Sequence, residues 1–179
     1  MAERLWAECV SQLMADGQCV DVAVVRLRSG AVLAAAEGGV FRHVSRRELR
    51  HLLAADRRRL RTRGLSLGGV PLLLLRDQLL GDMDHNGHGD DNGHGVDNGV
   101  DNGHGVDNGV DNGHGVDNGH GGGALHSMDL RTKQRPSQGV AVCRTHNHLL
   151  LLMGRTGAGS GALNHRAQQM AACLRNTGA

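Results

Sequence analysis

Apolar and polar positions alternate along this chain in two different periods. Residues 2–15 carry Leu5, Trp6, Cys9, Val10, Leu13 and Met14 at helical spacing, which predicts an amphipathic helix that Gly17 stops. VDVAVVR (20–26) and AVLAAA (31–36) read as strands joined by a turn at Ser29-Gly30. Ser45 and Glu48 stand at capping-box spacing before Leu49, Leu52 and Leu53, so a helix is expected from about Arg46 to Ala55. A short strand is expected near Leu60, then a turn at Gly64 and a strand over 70–80. Pro71 lacks an N–H donor and belongs at the start or edge of that strand. Further on, SMDLRTK (127–133), GVAVCRT (139–145) and HLLLLMG (148–154) predict three more strands. Ser160 can cap a last helix reaching about Arg175, with Leu163, Ala167, Met170, Ala171 and Leu174 inward. Short strand connections favour antiparallel pairing. The expected class is α+β, a central antiparallel sheet with the N- and C-terminal helices packed on one face.

Between the two halves of this pattern lies a segment that follows neither period. From Asp91 it reads DNGHGVDNGV, DNGHGVDNGV, DNGHGVDNGH. Asp82, Asp84, Asn86 and Gly87 imitate the opening of an EF-hand loop, but the twelfth position is Gly93 where a bidentate Glu is needed. A calcium-binding β-helix has a nine-residue period, and this period is ten. His85, His88, His94, His104, His114, His120 and His126 allow weak, heterogeneous metal binding rather than a defined site. With so much Gly and so few apolar residues the segment is expected to be a disordered loop over about 82–126.

Charge divides the same way. Nine of the 18 acidic residues fall between Asp82 and Asp117, a stretch without Lys or Arg, while all 20 basic residues lie elsewhere. The body is strongly basic and suits an acidic partner; the acidic segment beside it invites an intramolecular contact. The four cysteines form no CxxC pair and are expected to be free thiols. No apolar run reaches membrane-spanning length and no secretory signal opens the chain, so a cytoplasmic protein without a transmembrane segment is expected. No nucleophile–base pair, phosphate loop or carboxylate dyad is recognisable, and neither an enzyme, a cofactor nor a resident metal is expected.

LMADG (13–17), DRRRLRTRGLSLGG (56–69), LLRDQLL (74–80), SMDLRTK (127–133) and LLLLMGRTG (149–157) together resemble vertebrate profilins in order and spacing. The resemblance covers residues 1–82 and 127–179. It implies a single profilin-like domain over 1–179, interrupted at a hairpin turn by the repeat loop. Lengthening such a turn from about four residues to about 47 costs roughly 2 kcal/mol of closure entropy, which a domain tolerates.

The resemblance further implies a cytoplasmic regulator of actin polymerisation associated with the cytoskeleton. Its partners would be monomeric actin, phosphoinositide lipids and, more weakly, proline-rich proteins; nucleic acid is not among them. The actin contacts carried over are Leu74, Arg76, Arg131, Lys133, Gly161 and Asn164. A family Phe-Val pair reads Arg61-Thr62, and other family contacts read Pro71, Gly159, His165, Gln168 and Gln169. Such losses of anchors imply weakened actin binding. For proline-rich ligands the carry-over keeps Trp6 and Leu174, with Leu33 where the family has a tryptophan, Cys9 and Ala179 where it has tyrosines, and Cys173 for a histidine. A groove for proline needs aromatic walls, so this binding is expected to be reduced. Trp6 reads equally well as a core residue packing its helix on the sheet. For phosphoinositides the carry-over is Arg131, Lys133, Arg135 and Arg175, and Arg57, Arg58, Arg59, Arg61 and Arg63 offer a second basic cluster. The alternative is a profilin-fold protein that has lost actin and serves as an acidic-lipid-binding or metal-responsive module.

Overall fold

The computed structural model describes residues 2–80 and 126–176. All of the repeat segment except His126, with its expected disorder and metal binding, lies outside the described residues, as does Ala179. The order is α1 (Ala2–Met14), β1 (Cys19–Arg26), β2 (Val32–Ala35), a 3-10 turn (Phe41–His43), α2 (Arg46–Leu52), α3 (Arg57–Arg63), β3 (Leu65–Leu67), β4 (Val70–Asp77), β5 (Ser127–Thr132), β6 (Gly139–Arg144), β7 (His148–Gly154) and α4 (Ser160–Asn176). The seven strands form one sheet in the order β2-β1-β7-β6-β5-β4-β3, every pair antiparallel.

Both faces of the sheet are covered, by different helices. One face carries α1 and α4: Trp6, Cys9, Val10, Leu13, Leu163, Ala167, Ala171 and Leu174 pack with Val22, Val24, Ala141, Cys143, Leu150 and Leu152. The other lies under α2 and α3: Leu49, Leu52 and Leu60 pack with Ala23, Val25, Leu72, Met128, Leu130, Leu149 and Leu151. A strand covered on both sides reads as a continuous apolar run. That accounts for HLLLLMG in β7, where all seven residues are buried.

Local signals set most boundaries. The Ser45 hydroxyl accepts from the Glu48 amide at 3.2 Å and the Glu48 carboxylate accepts from the Ser45 amide at 2.8 Å, a complete capping box. At the end of α1, the Arg166 guanidinium of α4 pairs with Asp16 and donates to the Leu13 carbonyl at 3.2 Å. The terminal helices are thereby tied together through the MADG turn.

Two expectations are corrected. Residues around Leu60 form α3, not a strand: Asp56 accepts from the Arg59 amide at the helix start, and arginines are good helix formers around the single buried Leu60. The strand sits later, as β3, which the Gly68-Gly69 pair folds back onto β4 with Leu67 opposite Val70. Helix α2 also stops at Leu52, short of Ala55, because Arg57 claims the carbonyls of Leu52 and Ala54 at 2.6 and 3.0 Å. Gly64, φ 73°, is compulsory: a Cβ there would stand 2.2 Å from the Leu72 carbonyl oxygen. Pro71 lies at the start of β4 as expected, opposite Ser66.

Strands β4 and β5 flank the repeat segment and pair from Leu72–Thr132 to Asp77–Met128. The Gln78 amide adds a bond to the Ser127 carbonyl at 2.8 Å.

Candidate functional site

Two surfaces and a set of basic residues follow from this frame. The first surface lies where α1 and α4 meet. Trp6, Leu33 and Leu174, the residues expected to meet proline-rich ligands, fall in one apolar cluster. Trp6 is only 4% exposed, however, and its ring lies 4.3 Å from that of His148, tilted by 47°. It serves as core, packed over a histidine that β7 carries into the sheet. Leu174 is 2% exposed and Leu33 half-buried, so among the described residues no open aromatic wall stands at this junction. Cys9 is buried and Cys173, on α4, exposed. Burial, and next the neighbouring Cys173, push the Cys9 thiol up to about 11, so it stays protonated and inert near neutral pH.

His148 is 6% exposed and its Nδ1 has no hydrogen-bond partner. Burial, and then the charge of Arg26, lower its pKa below the ordinary 6.5. A histidine that resists protonation in the folded state contributes stability above its unfolded pKa and loses it as pH falls toward the folded value. The contribution of His148 to the unfolding free energy is therefore expected to be constant above pH 6.5 and to decline below it. Urea titrations of the parent and of His148→Leu check this, and a decline of equal slope in the variant contradicts it.

The second surface is the part of the sheet that α4 leaves bare. Leu72 and Leu74 turn toward α2 and α3, so the outer face of β4 carries Leu73, 44% exposed, opposite Arg131 of β5. The register slips between Leu74 and Arg76, a bulge that presents Leu75, 54% exposed. Arg76 and Arg131 are exposed and make no ion pair among the described residues. Leu73 and Leu75 escaped the sequence reading, although VPLLLL carried the signal: an apolar run on a strand covered on one side must leave alternate residues in water.

Other expected actin contacts are placed differently. Leu74 is half-buried against the core beneath the opposite face. Asn164 is buried, donating to Asp129 Oδ1 at 2.8 Å and accepting from Gln168 Nε2 at 2.8 Å, so both ends of its amide serve the α4–β5 contact. Burial raises the Asp129 pKa, against the hydrogen bond from Asn164 and the charge of Arg76. Gly161 is exposed in the first turn of α4. Lys133 reaches back to the Arg63 carbonyl at 3.0 Å, closing the C-terminus of α3.

The expected phosphoinositide set divides. Arg131, Lys133 and Arg135 are exposed near one end of β5. Arg175 acts on Cys143, which pairs with Ser127 at the other end, whereas Arg131 pairs with Gly139. Four residues of strand separate those ends by about 13 Å. In the second cluster, Arg57 is consumed by Asp77, with Nε–Oδ2 and Nη2–Oδ1 both 2.7 Å, and Arg59 pairs with Asp56. Among the described residues no group of three or more His, Cys, Asp or Glu is arranged to hold a metal, and no helix is long and apolar enough to cross a membrane.

The family profile described as Profilin matches residues 4–97. Human profilin-1 is 30% identical over 176 residues, covering 96% of each chain, and rat profilin-2 is 30% identical over 177 residues, covering 97% of each. Among solved structures, rat profilin 2a superposes with a TM-score of 0.71 at 29% identity over 99% of both chains. Mouse profilin IIa, in complex with a double repeat from the FH1 domain of mDia1, gives 0.69 at 29% identity over 97% of this chain and 99% of its own. The sheet order, the two covered faces and the matched length lead to one conclusion: this chain belongs to the profilin family.

Proposed function

We propose that this protein binds monomeric actin and regulates its polymerisation through the bare face of β4 and β5. Profilins are actin-binding proteins without enzymatic activity. The observation that carries the assignment to this face is the pair Leu73 and Leu75, 44% and 54% exposed, set beside the exposed Arg76 and Arg131. An apolar centre rimmed by cations suits a partner face that offers an apolar side chain between carboxylates. Asn164 acts from within, holding α4 to β5, and the exposed Lys133 gives its ammonium to the end of α3, so both contact actin little.

Fluorescence titration with monomeric actin tests the reading. Saturable binding is expected, and the double variant Arg76→Glu/Arg131→Glu is expected to weaken it at least about tenfold, or about 1.4 kcal/mol. Absence of binding by the parent chain, or equal binding by the variant, overturns it.

Two finer activities accompany it. Phosphoinositides would engage Arg131, Lys133 and Arg135 without Arg175, and so compete with actin for Arg131. Proline-rich segments, such as the FH1 repeat in the mouse profilin IIa structure, would bind weakly, since Trp6 is turned inward and Leu33 and Cys9 offer no flat wall. The place of action is the cytoplasmic actin cytoskeleton, and the working unit a single domain with the repeat segment inserted between β4 and β5.

A further inference from the structure

A cleft on the α2 side of the sheet belongs to none of these surfaces. It has a volume of about 400 Å³ and lies between the β1–β2 turn and α2. Leu27, Leu49 and Leu53 supply apolar wall, and Arg28, Arg46 and Arg50 supply the charge. Its shape rests on Gly30, at φ 67°: a Cβ there would stand 2.9 Å from Arg46 Cγ and 3.3 Å from Leu49 Cδ1. The bare glycine lets the arginine stem lie against the turn, and the turn is closed by bonds of 2.8 Å from Gly30 N to Arg26 O and from Arg26 N to Ala31 O. The cleft is thus a property of ordered backbone.

Nothing neutralises it among the described residues. Arg28, Arg46 and Arg50 are exposed and make no ion pair. The acidic neighbour on α2, Glu48, is consumed: Oε2 takes the Ser45 amide and hydroxyl, and Oε1 takes the Gly69 amide at 3.0 Å. Arg50 also lines a second, adjoining hollow together with Arg47 and His51, so the basic rim continues along the helix.

We propose that this cleft binds an acidic peptide segment of a partner protein, one that places an apolar side chain between carboxylates. Leucines on the wall take the apolar side chain and the guanidiniums grip the flanking carboxylates, two oxygens at a time. The pairing of features selects this occupant. A bare phosphate gains nothing from the leucines, and a flat anionic bilayer meets the rim but not the floor. The continuation past Arg50 suits an extended chain better than a compact anion.

The test is fluorescence anisotropy with the full chain and a labelled peptide of Glu residues interrupted by Leu. Saturable binding is expected, weakened at least about tenfold by the exposed double substitution Arg46→Glu/Arg50→Glu. A peptide with Ser for Leu is expected to bind about tenfold more weakly. Arg76→Glu/Arg131→Glu is expected to leave peptide binding unchanged, which separates this cleft from the actin face. Equal binding of the Ser peptide, or no effect of Arg46→Glu/Arg50→Glu, overturns the proposal. So does a result in which phosphatidylserine vesicles or inorganic phosphate, rather than the peptide, depend on Arg46 and Arg50.

Discussion

Arg57→Ala is expected to lower the unfolding free energy by about 3–5 kcal/mol, to be read as a shift in the urea midpoint at constant slope. The Arg57 side chain makes four hydrogen bonds. Its Nε and Nη2 meet both oxygens of Asp77 at 2.7 Å, and its Nη1 donates to the carbonyls of Leu52 and Ala54. The pair is well shielded, with side chains 19% and 7% exposed, so loss of the guanidinium strands a carboxylate and the end of α2 together. Asp77 also accepts from the Leu79 amide at 3.3 Å and thereby fixes the chain where it leaves β4 toward the repeat segment. One side chain therefore holds α2, α3 and the open end of the β4–β5 hairpin. The double variant Arg57→Met/Asp77→Leu separates the two contributions. It removes both charges and is expected to recover most of the loss, since an apolar pair of similar size suits a shielded site. A single variant as stable as the parent contradicts the account.

Trp6→Ala is expected to cost about 3–5 kcal/mol, the usual range for emptying a large aromatic site in a core. A residue that served a ligand at the surface would change stability by about 0.5 kcal/mol or less. The expectation rests on 4% exposure, on the shared cluster with Val10, Leu13, Leu150 and Leu174, and on the ring contact with His148. Once Trp6 is removed, water reaches the His148 ring, and the decline of stability below pH 6.5 is expected to shrink with it. A cost below about 1 kcal/mol restores the groove reading for Trp6.

Both proposed contacts use the charged and apolar residues of bare sheet and cleft rather than the single tryptophan. The two proposed contacts lie on opposite sides of the sheet: Arg76 and Arg131 on the face that α4 leaves open, Arg46 and Arg50 over the α2 side. An acidic partner segment and an actin monomer need not compete, and the charge-reversal pairs read them out independently.

Much of the fold was legible along the chain because its signals are local. Apolar spacing in 2–15 and 160–175 marks α1 and α4, Ser45 and Glu48 open α2, and the short apolar runs give β1, β4, β5, β6 and β7. The misreading at Leu60 came from a helix with one apolar residue, too little to show a period; β3 was too short to show one, though Gly68-Gly69 was its signature.

Side-chain roles were less legible, because they depend on what packs above each strand. In VPLLLL every leucine looks alike, and it is the position of α4, far along the chain, that leaves Leu73 and Leu75 bare while Leu72 and Leu74 meet the core. Arg57 and Arg58 are neighbours in sequence, yet only the first finds Asp77, twenty residues away. Nothing along the chain signals that Asp129 and Gln168 take both ends of the Asn164 amide. The order of most helices and strands follows from periodicity and capping within a few residues, and the hairpin that the repeat segment enters follows from the resemblance to profilins. Which arginines stay free, which leucines face water and which way Trp6 turns follow from partners remote in sequence, since burial and hydrogen bonding are properties of the assembled sheet.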